Sequence, residues 1–204
     1  MMIAIVDYGV GNLFSLASSL KAIGAEIVVS GEKKVLHEAE KIILPGVGAF
    51  RDARAKLAKN NLDEFLIAEA KSGKPFLGIC LGMQMMFEKS YEYGEYEGLG
   101  LLKGKVVPIK DCLTDKSLKV PHIGWNALEI VRDNPLLKYV KNGDFVYFVH
   151  SYYVADCAES LLAVTDYSCP LTAAAAKDNI YACQFHPEKS GAVGLNILRA
   201  FNEI

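Results

Sequence analysis

The chain has 204 residues, 51% of them hydrophobic and 23% charged, with a formal net charge of -2. That length fits one domain with a core large enough to stand without disulfides or metals, and the near-neutral charge argues against a nucleic-acid-binding surface, which normally carries a basic patch. No apolar run reaches the roughly 18 to 20 residues that span a bilayer, and the opening "MMIAIVDYG" lacks a basic flank and meets Asp7 too early to read as a secretory signal.

"MIAIVD" is a short run rich in β-formers, followed at once by "YGVGN", so a strand ending in a tight turn is predicted. "LFSLASSLKAIG" places Leu13, Leu16, Ala17, Leu20 and Ile23 at helical spacing, with Gly24 as its stop. "EIVVS" and "KIILPG" read as the second and third strands. "AFRDARAKLAKNNLDEFLIAEAKSG" reads as helix in two pieces, broken near Asn60-Asn61 and ended at Gly73. "PFLGIC" is a fourth strand, and "LGMQMMFEK" starts another helix. The tyrosine-rich "EKSYEYGEYEGLG" is polar enough to be an exposed loop. Beyond it, "GLLKGKVVPI", "ALEIV", "DFVYFVHSYYV", "LLAVT", "LTAAAAK" and "IYACQF" read mostly as strands with short links. "SGAVGLNILRAFNEI" closes as a helix, with Val193, Ile197, Leu198 and Phe201 inward. Alternating strands and helices predict an α/β fold, a mostly parallel central sheet with helices on both faces. The C-terminal half adds antiparallel strands to that core.

The cysteines are Cys80, Cys112, Cys157, Cys169 and Cys183. Their number is odd and no C-x-x-C pair occurs, so neither a disulfide framework nor a zinc site is expected, and a reducing cytoplasm is the default. Four of them read as inert apolar fillers. Cys80 differs. Gly78-Ile79-Cys80-Leu81-Gly82 matches the G-x-S-x-G nucleophile elbow with cysteine in place of serine. Such a strand-to-helix corner strains the nucleophile's dihedrals and requires small neighbours. It also sets the sulfur at a helix N-terminus, where free amides favour a thiolate. The bland alternative is a buried cysteine in a glycine-containing turn.

A cysteine nucleophile needs a base, and the base needs an orienting group. His37 sits in charged surroundings. His186, in "CQFHPEKS", follows an apolar strand and precedes Glu188 by two residues, so strand geometry would point both the same way. Glu188 would then hold the imidazole tautomer and stabilise the imidazolium. In "ILPGVGAF", Gly46, Val47 and Gly48 form a loop whose amides suit an oxyanion, with the amide of Leu81 as the other donor. A glycine-rich turn without chemistry is the alternative for that loop.

"GICLGMQ", "QFHPEKS" and "LPGVGAF", in this order, resemble the class I (triad) glutamine amidotransferases over almost the whole chain. The resemblance implies a flavodoxin-like fold spanning residues 1–204 as one domain. It implies a triad of Cys80, His186 and Glu188 that hydrolyses glutamine through a thioester and releases ammonia, with no cofactor and no metal. It places Gln84 against the glutamine substrate, with Glu92, His150, Ser151 and Tyr152 as further substrate contacts. "DYGVGNLFS", "VPHIGWN" and "YFVHSYY" look like the branch that serves imidazole glycerol phosphate synthase in histidine biosynthesis. That likeness implies a heterodimer with a separate (β/α)8-barrel cyclase subunit, which uses the ammonia to make imidazole glycerol phosphate and AICAR. The partner's ligand state would switch on the glutaminase, with the Gly46 to Gly48 loop rearranging. Asn12, His122 and Trp125 are the candidate docking residues, Trp125 because tryptophan is enriched at interface hot spots. A core position is the alternative for this sole tryptophan. An amino-sugar amidotransferase subunit and a stand-alone γ-glutamyl hydrolase remain open alternatives, as does an inactive docking subunit. The expected core uses essentially all of this chain, so either the protein is a plain amidase or an ammonia acceptor lies on another chain. Free ammonia in water at neutral pH would become ammonium, which a water-excluding docked partner would prevent.

Overall fold

The computed structural model describes residues 1–204. In chain order the first half contains β1 (Met2–Val6), α1 (Leu13–Ala22), β2 (Glu26–Ser30), α2 (Lys33–Glu38), β3 (Lys41–Gly46), α3 (Phe50–Leu57), α4 (Leu62–Lys71), β4 (Phe76–Cys80) and α5 (Leu81–Met86). There follow β5 (Lys89–Ser90), β6 (Tyr96–Glu97), β7 (Lys105–Pro108), β8 (His122–Ala127), β9 (Glu129–Ile130), β10 (Phe145–His150), β11 (Tyr152–Ala155), β12 (Leu161–Asp166), β13 (Pro170–Lys177), β14 (Ile180–Cys183) and α6 (Gly191–Glu203). The main sheet has the order β2-β1-β3-β4-β14-β13-β12-β9. Strands β2 to β14 of that order are mutually parallel, and β13, β12 and β9 continue it antiparallel.

The strand residues divide between two cores because successive side chains point to opposite faces. Ile3 and Ile5 pack with Leu16 and Leu20 of α1 and with Ile197, Leu198 and Phe201 of α6. Ala4 and Val6 face the other way, onto Leu36 of α2, Phe50 and Leu57 of α3, Leu66 of α4 and Met83 of α5. With both faces covered, the central strands carry continuous apolar runs rather than alternation. All five residues of β4 and all six of β3 are buried. The break between α3 and α4 falls where the sequence places it: Asn60 and Asn61 adopt left-handed dihedrals, a conformation asparagine tolerates.

Several expectations change. Helix α2 lies in a mostly charged stretch and buries only Leu36, too faint a period to read. "DFVYFVHSYYV" is two strands, split at Ser151: β10 pairs with β8, and β11 pairs with β7. These pairs form a two-stranded sheet and a four-stranded sheet of their own, so not every C-terminal strand joins the parallel core. "PHIGWN" is itself a strand, β8. The tyrosine-rich segment contributes β5 and β6 to the four-stranded sheet. Cys112 and Cys169, 57 residues apart, form a disulfide with Cα atoms 6.0 Å apart, contrary to the expectation of inert thiols. The turn between β12 and β13 carries Cys169 to the segment after β7, beside Ile109, Leu113 and Leu171. No helix is long and apolar enough to cross a membrane.

Candidate active site

Strand β4 ends in Cys80 with φ 54° and ψ -112°, and α5 begins at the next residue. A positive φ costs a non-glycine residue of order 1–3 kcal/mol, and such strain persists only when the surroundings impose it. The surroundings do so through close packing. A Cβ on Gly82 would collide with the Leu44 carbonyl oxygen, and one on Gly78 would stand 2.7 Å from the Met86 sulfur and 2.8 Å from the Met83 amide nitrogen. The flanking glycines therefore let the first turn of α5 lie against β3 and β4.

His186 follows β14 on the neighbouring parallel strand. Its Nδ1 lies 2.8 Å from Glu188 Oε1, and both side chains are 3% exposed. The pair meets by a route other than the one expected. Pro187–Lys189 is a 3-10 turn rather than continued strand, with Pro187 fixing its first position. Ser190 holds the turn, donating its Oγ–H to the His186 carbonyl (2.6 Å) and accepting the Tyr147 amide (3.0 Å). His186 Nε2 is buried without a hydrogen-bond partner. Burial opposes a charge on the ring, but the Cys80 sulfur and the Glu188 carboxylate outweigh it, pushing the imidazole up to about 10. The ring is thus favoured as imidazolium at neutral pH, the state that stabilises a thiolate.

Cys80 and His186 open into a cavity of about 430 Å3. Val47, Gly48, Leu81, Gln84, Glu92, His150, Ser151 and Tyr152 line the same cavity. It lies at the carboxyl ends of parallel strands, where open α/β sheets place ligands. Gly46 is not on its wall. It ends β3 in register with Cys80, and a Cβ there would stand 2.7 Å from the Gly82 amide nitrogen, so its smallness serves the elbow. A hollow of about 540 Å3 beside β5 and β7 is lined by ion-paired side chains such as Lys105 and Asp156 and holds no nucleophile.

Glu92 reaches the wall from the tyrosine-rich segment. Burial raises its pKa, a bond from the Phe50 amide to its Oε2 (2.6 Å) opposes that, and Asp52 adds to the rise. Gln84 spends both amide N–H groups inside the wall, on the Tyr152 carbonyl (3.0 Å) and on Gln184 Oε1 (2.9 Å). Only its Oε1 is left for a ligand. His150 Nδ1 donates to the Tyr152 carbonyl at 2.9 Å, and its Nε2 lies 3.1 Å from His122 Nδ1. Burial pushes His150 down to about 3 and His122 down to about 4, so both rings are neutral at pH 7.

The three candidate docking residues separate. Trp125 is 53% exposed, edge-on to Tyr147, and so is no core residue; Ile123 and Phe145 beside it are exposed as well. Asn12 is half-buried ahead of α1. His122 is corrected: it is 3% exposed and stacked between Phe148 and Tyr167, with ring centroids at 5.0 and 4.2 Å. β8 alternates its faces, so His122 turns inward while Ile123 and Trp125 carry the exposed surface. The sequence reading missed Gln184. It is fully buried, with Nε2 3.6 Å from Cys80 Sγ. Its position two residues before His186 is the one signal that could have found it.

The family model "Glutamine amidotransferase class-I" matches residues 4–202. Among curated relatives, "Imidazole glycerol phosphate synthase subunit HisH" of Bacillus licheniformis is 53% identical, over 99% of this chain and 96% of the relative. The protein of that name from Caldanaerobacter subterraneus subsp. tengcongensis is 50% identical, over 100% of this chain and 98% of the relative. Among solved structures, one described as the crystal structure of glutamine amidotransferase superposes with a TM-score of 0.75 at 18% identity, covering 98% of this chain and 97% of the other. PurLQS from Thermotoga maritima has the same TM-score at 19% identity, with 98% and 96% covered. These two share the fold, while the family match and the relatives near half identity span the elbow and the His186 turn together. The chain belongs to the class-I glutamine amidotransferase family.

Proposed function

We propose that the chain is the glutaminase subunit of an imidazole glycerol phosphate synthase, hydrolysing glutamine and passing ammonia to a cyclase subunit. The observation that carries the chemistry is His186, held by Glu188 at 2.8 Å on one ring nitrogen and without a hydrogen-bond partner on the other, beside the cavity that Cys80 also lines. The relatives' printed name, at about half identity over nearly their whole length, supports the acceptor.

In this mechanism the Cys80 thiolate attacks the side-chain carbonyl of glutamine. The oxyanion is met by the Leu81 amide and by an amide of the Val47–Gly48 loop, worth about 2.7–4 kcal/mol for each donor. His186 gives its proton to the departing nitrogen, leaving a thioester and ammonia. It then takes a proton from water, which attacks the thioester and releases glutamate. Glu188 holds the ring through Nδ1 and fixes its orientation throughout. Glu92 faces the substrate ammonium and the Gln84 Oε1 a further substrate donor, with Ser151 and Tyr152 on the facing wall. Val47 is 42% exposed and Gly48 has φ +90°, a loop able to move when a partner docks.

We assign partner docking to the exposed surface that carries Ile123 and Trp125 on β8, with Asn12 ahead of α1 as a further candidate contact. The test mixes the chain with glutamine, with and without an imidazole glycerol phosphate cyclase, and measures glutamate. Stimulation by the cyclase is expected; full activity of the chain alone, unchanged by the cyclase, would overturn the reading. Trp125→Ala should weaken the complex by about 2 kcal/mol, roughly 30-fold in Kd by titration calorimetry.

A further inference from the structure

A chain of buried hydrogen bonds outside the triad ends on the same sulfur. Gln184 Oε1 accepts from Gln84 Nε2 at 2.9 Å, and Gln184 Nε2 lies 3.6 Å from Cys80 Sγ. The polarity of this chain follows from one backbone carbonyl. The Tyr152 oxygen can only accept, and it receives Gln84 Nε2 at 3.0 Å and His150 Nδ1 at 2.9 Å. The amino group of Gln84 therefore faces Tyr152, and its second N–H faces Gln184, which must present oxygen there. The amino group of Gln184 is left facing the sulfur. On the other arm, the His150 proton sits on Nδ1, so its Nε2 accepts from the Nδ1–H of His122 at 3.1 Å. Each side-chain amide is thus locked in one orientation by a partner that cannot reverse its role.

We infer that Gln184 is a thiolate-stabilising residue, donating its Nε2–H to the Cys80 sulfur as a second donor beside His186. The inference rests on the proposed cysteine chemistry and deepens it. No proton leaves Gln184. Its dipole favours the anion over the neutral thiol, and a thioester sulfur, a poorer acceptor, benefits less. Full burial makes the bond stronger than in water and excludes a solvent substitute. The ionisable groups that face Cys80 are His186 from the turn after β14 with Glu188 behind it, Cys183 from β14 and Tyr8 from the turn after β1. Substituting Gln184 alters none of these.

The test measures the pH profile of Cys80 alkylation by iodoacetamide in the full chain, read by peptide mass spectrometry. Gln184→Met removes the donor at similar volume, and Gln184→Leu removes it with a branched apolar side chain. For Gln184→Met we expect the half-maximal pH to rise by about one unit and the rate at pH values well below the wild-type midpoint to fall about tenfold. For Gln184→Leu the same rise is expected. A residue that merely fills space would change the melting temperature or the KM for glutamine and leave the profile in place. An unchanged profile in folded Gln184→Leu would overturn the inference even if Gln184→Met does not fold. A wild-type chain that shows the thiolate profile but no glutamine hydrolysis even with the cyclase present would instead sink the proposed function.

Discussion

The ends of β4 and β14 run side by side, each carrying a cysteine. Cys183 pairs in register with Ile79, one residue short of Cys80. Cys80 stands on a corner with φ 54°, at the cavity and beside an imidazole. Cys183 is fully buried within its strand, where burial pushes its thiol well up and the nearby Glu188 and Cys80 push it further. Two sulfurs in one core thus have opposite prospects. The corner supplies a helix N-terminus, a neighbouring imidazole and an opening, and the strand interior supplies none of them.

The largest effect should come from exchanging the two cysteines' fates. Cys80→Ala is expected to lower glutamine turnover by about 10,000-fold or more while leaving partner binding intact. Cys183→Ala should leave turnover within a few-fold; comparable losses in both would erase the contrast. Next, Glu188→Gln should lower turnover by about 100- to 1,000-fold, because His186 remains but loses the group that holds its tautomer. An unchanged rate would show that the ring needs no orienter. Third, Gly82→Ala drives a Cβ into the Leu44 carbonyl and should cost about 1–3 kcal/mol in urea unfolding. No comparable glycine constraint applies at the end of β14.

The smallest effect concerns acid. His122 and His150 are held neutral in the fold, down to about 4 and 3, against an ordinary 6.5. Below pH 6.5 the unfolded chain binds more protons than the folded one, so stability falls as pH drops, until the folded values are reached. His150→Gln removes one of these groups, so its melting temperature should decline less steeply than that of the wild type between pH 6.5 and 4. Parallel curves would show that the buried imidazole is not a source of acid sensitivity.

Much of the site was legible because its signals are local. G-x-C-x-G marks a corner, an apolar run before it marks a strand, and a helical pattern after it completes the elbow. His186 and Glu188 are two residues apart, so any turn that brings them together does so within one segment, although the turn proved 3-10 rather than extended. Asn60-Asn61 and Gly24 punctuate helices by their own dihedral preferences. The less legible parts depend on partners far along the chain. Ser151 divides one apolar run into two strands because β8 and β7, in different sheets, each claim half of it.

The sequence by itself determined the alternation of strands and helices, the strained corner at Cys80 and the pairing of His186 with Glu188, since each arises from residues within a turn or two. Only the tertiary structure decided that Gln184 turns its amide to the sulfur, that His122 is buried while Trp125 is exposed, and that Cys112 meets Cys169. Those outcomes depend on which faces of distant strands are covered, and on which fixed donors and acceptors meet them. No window along the chain contains that information.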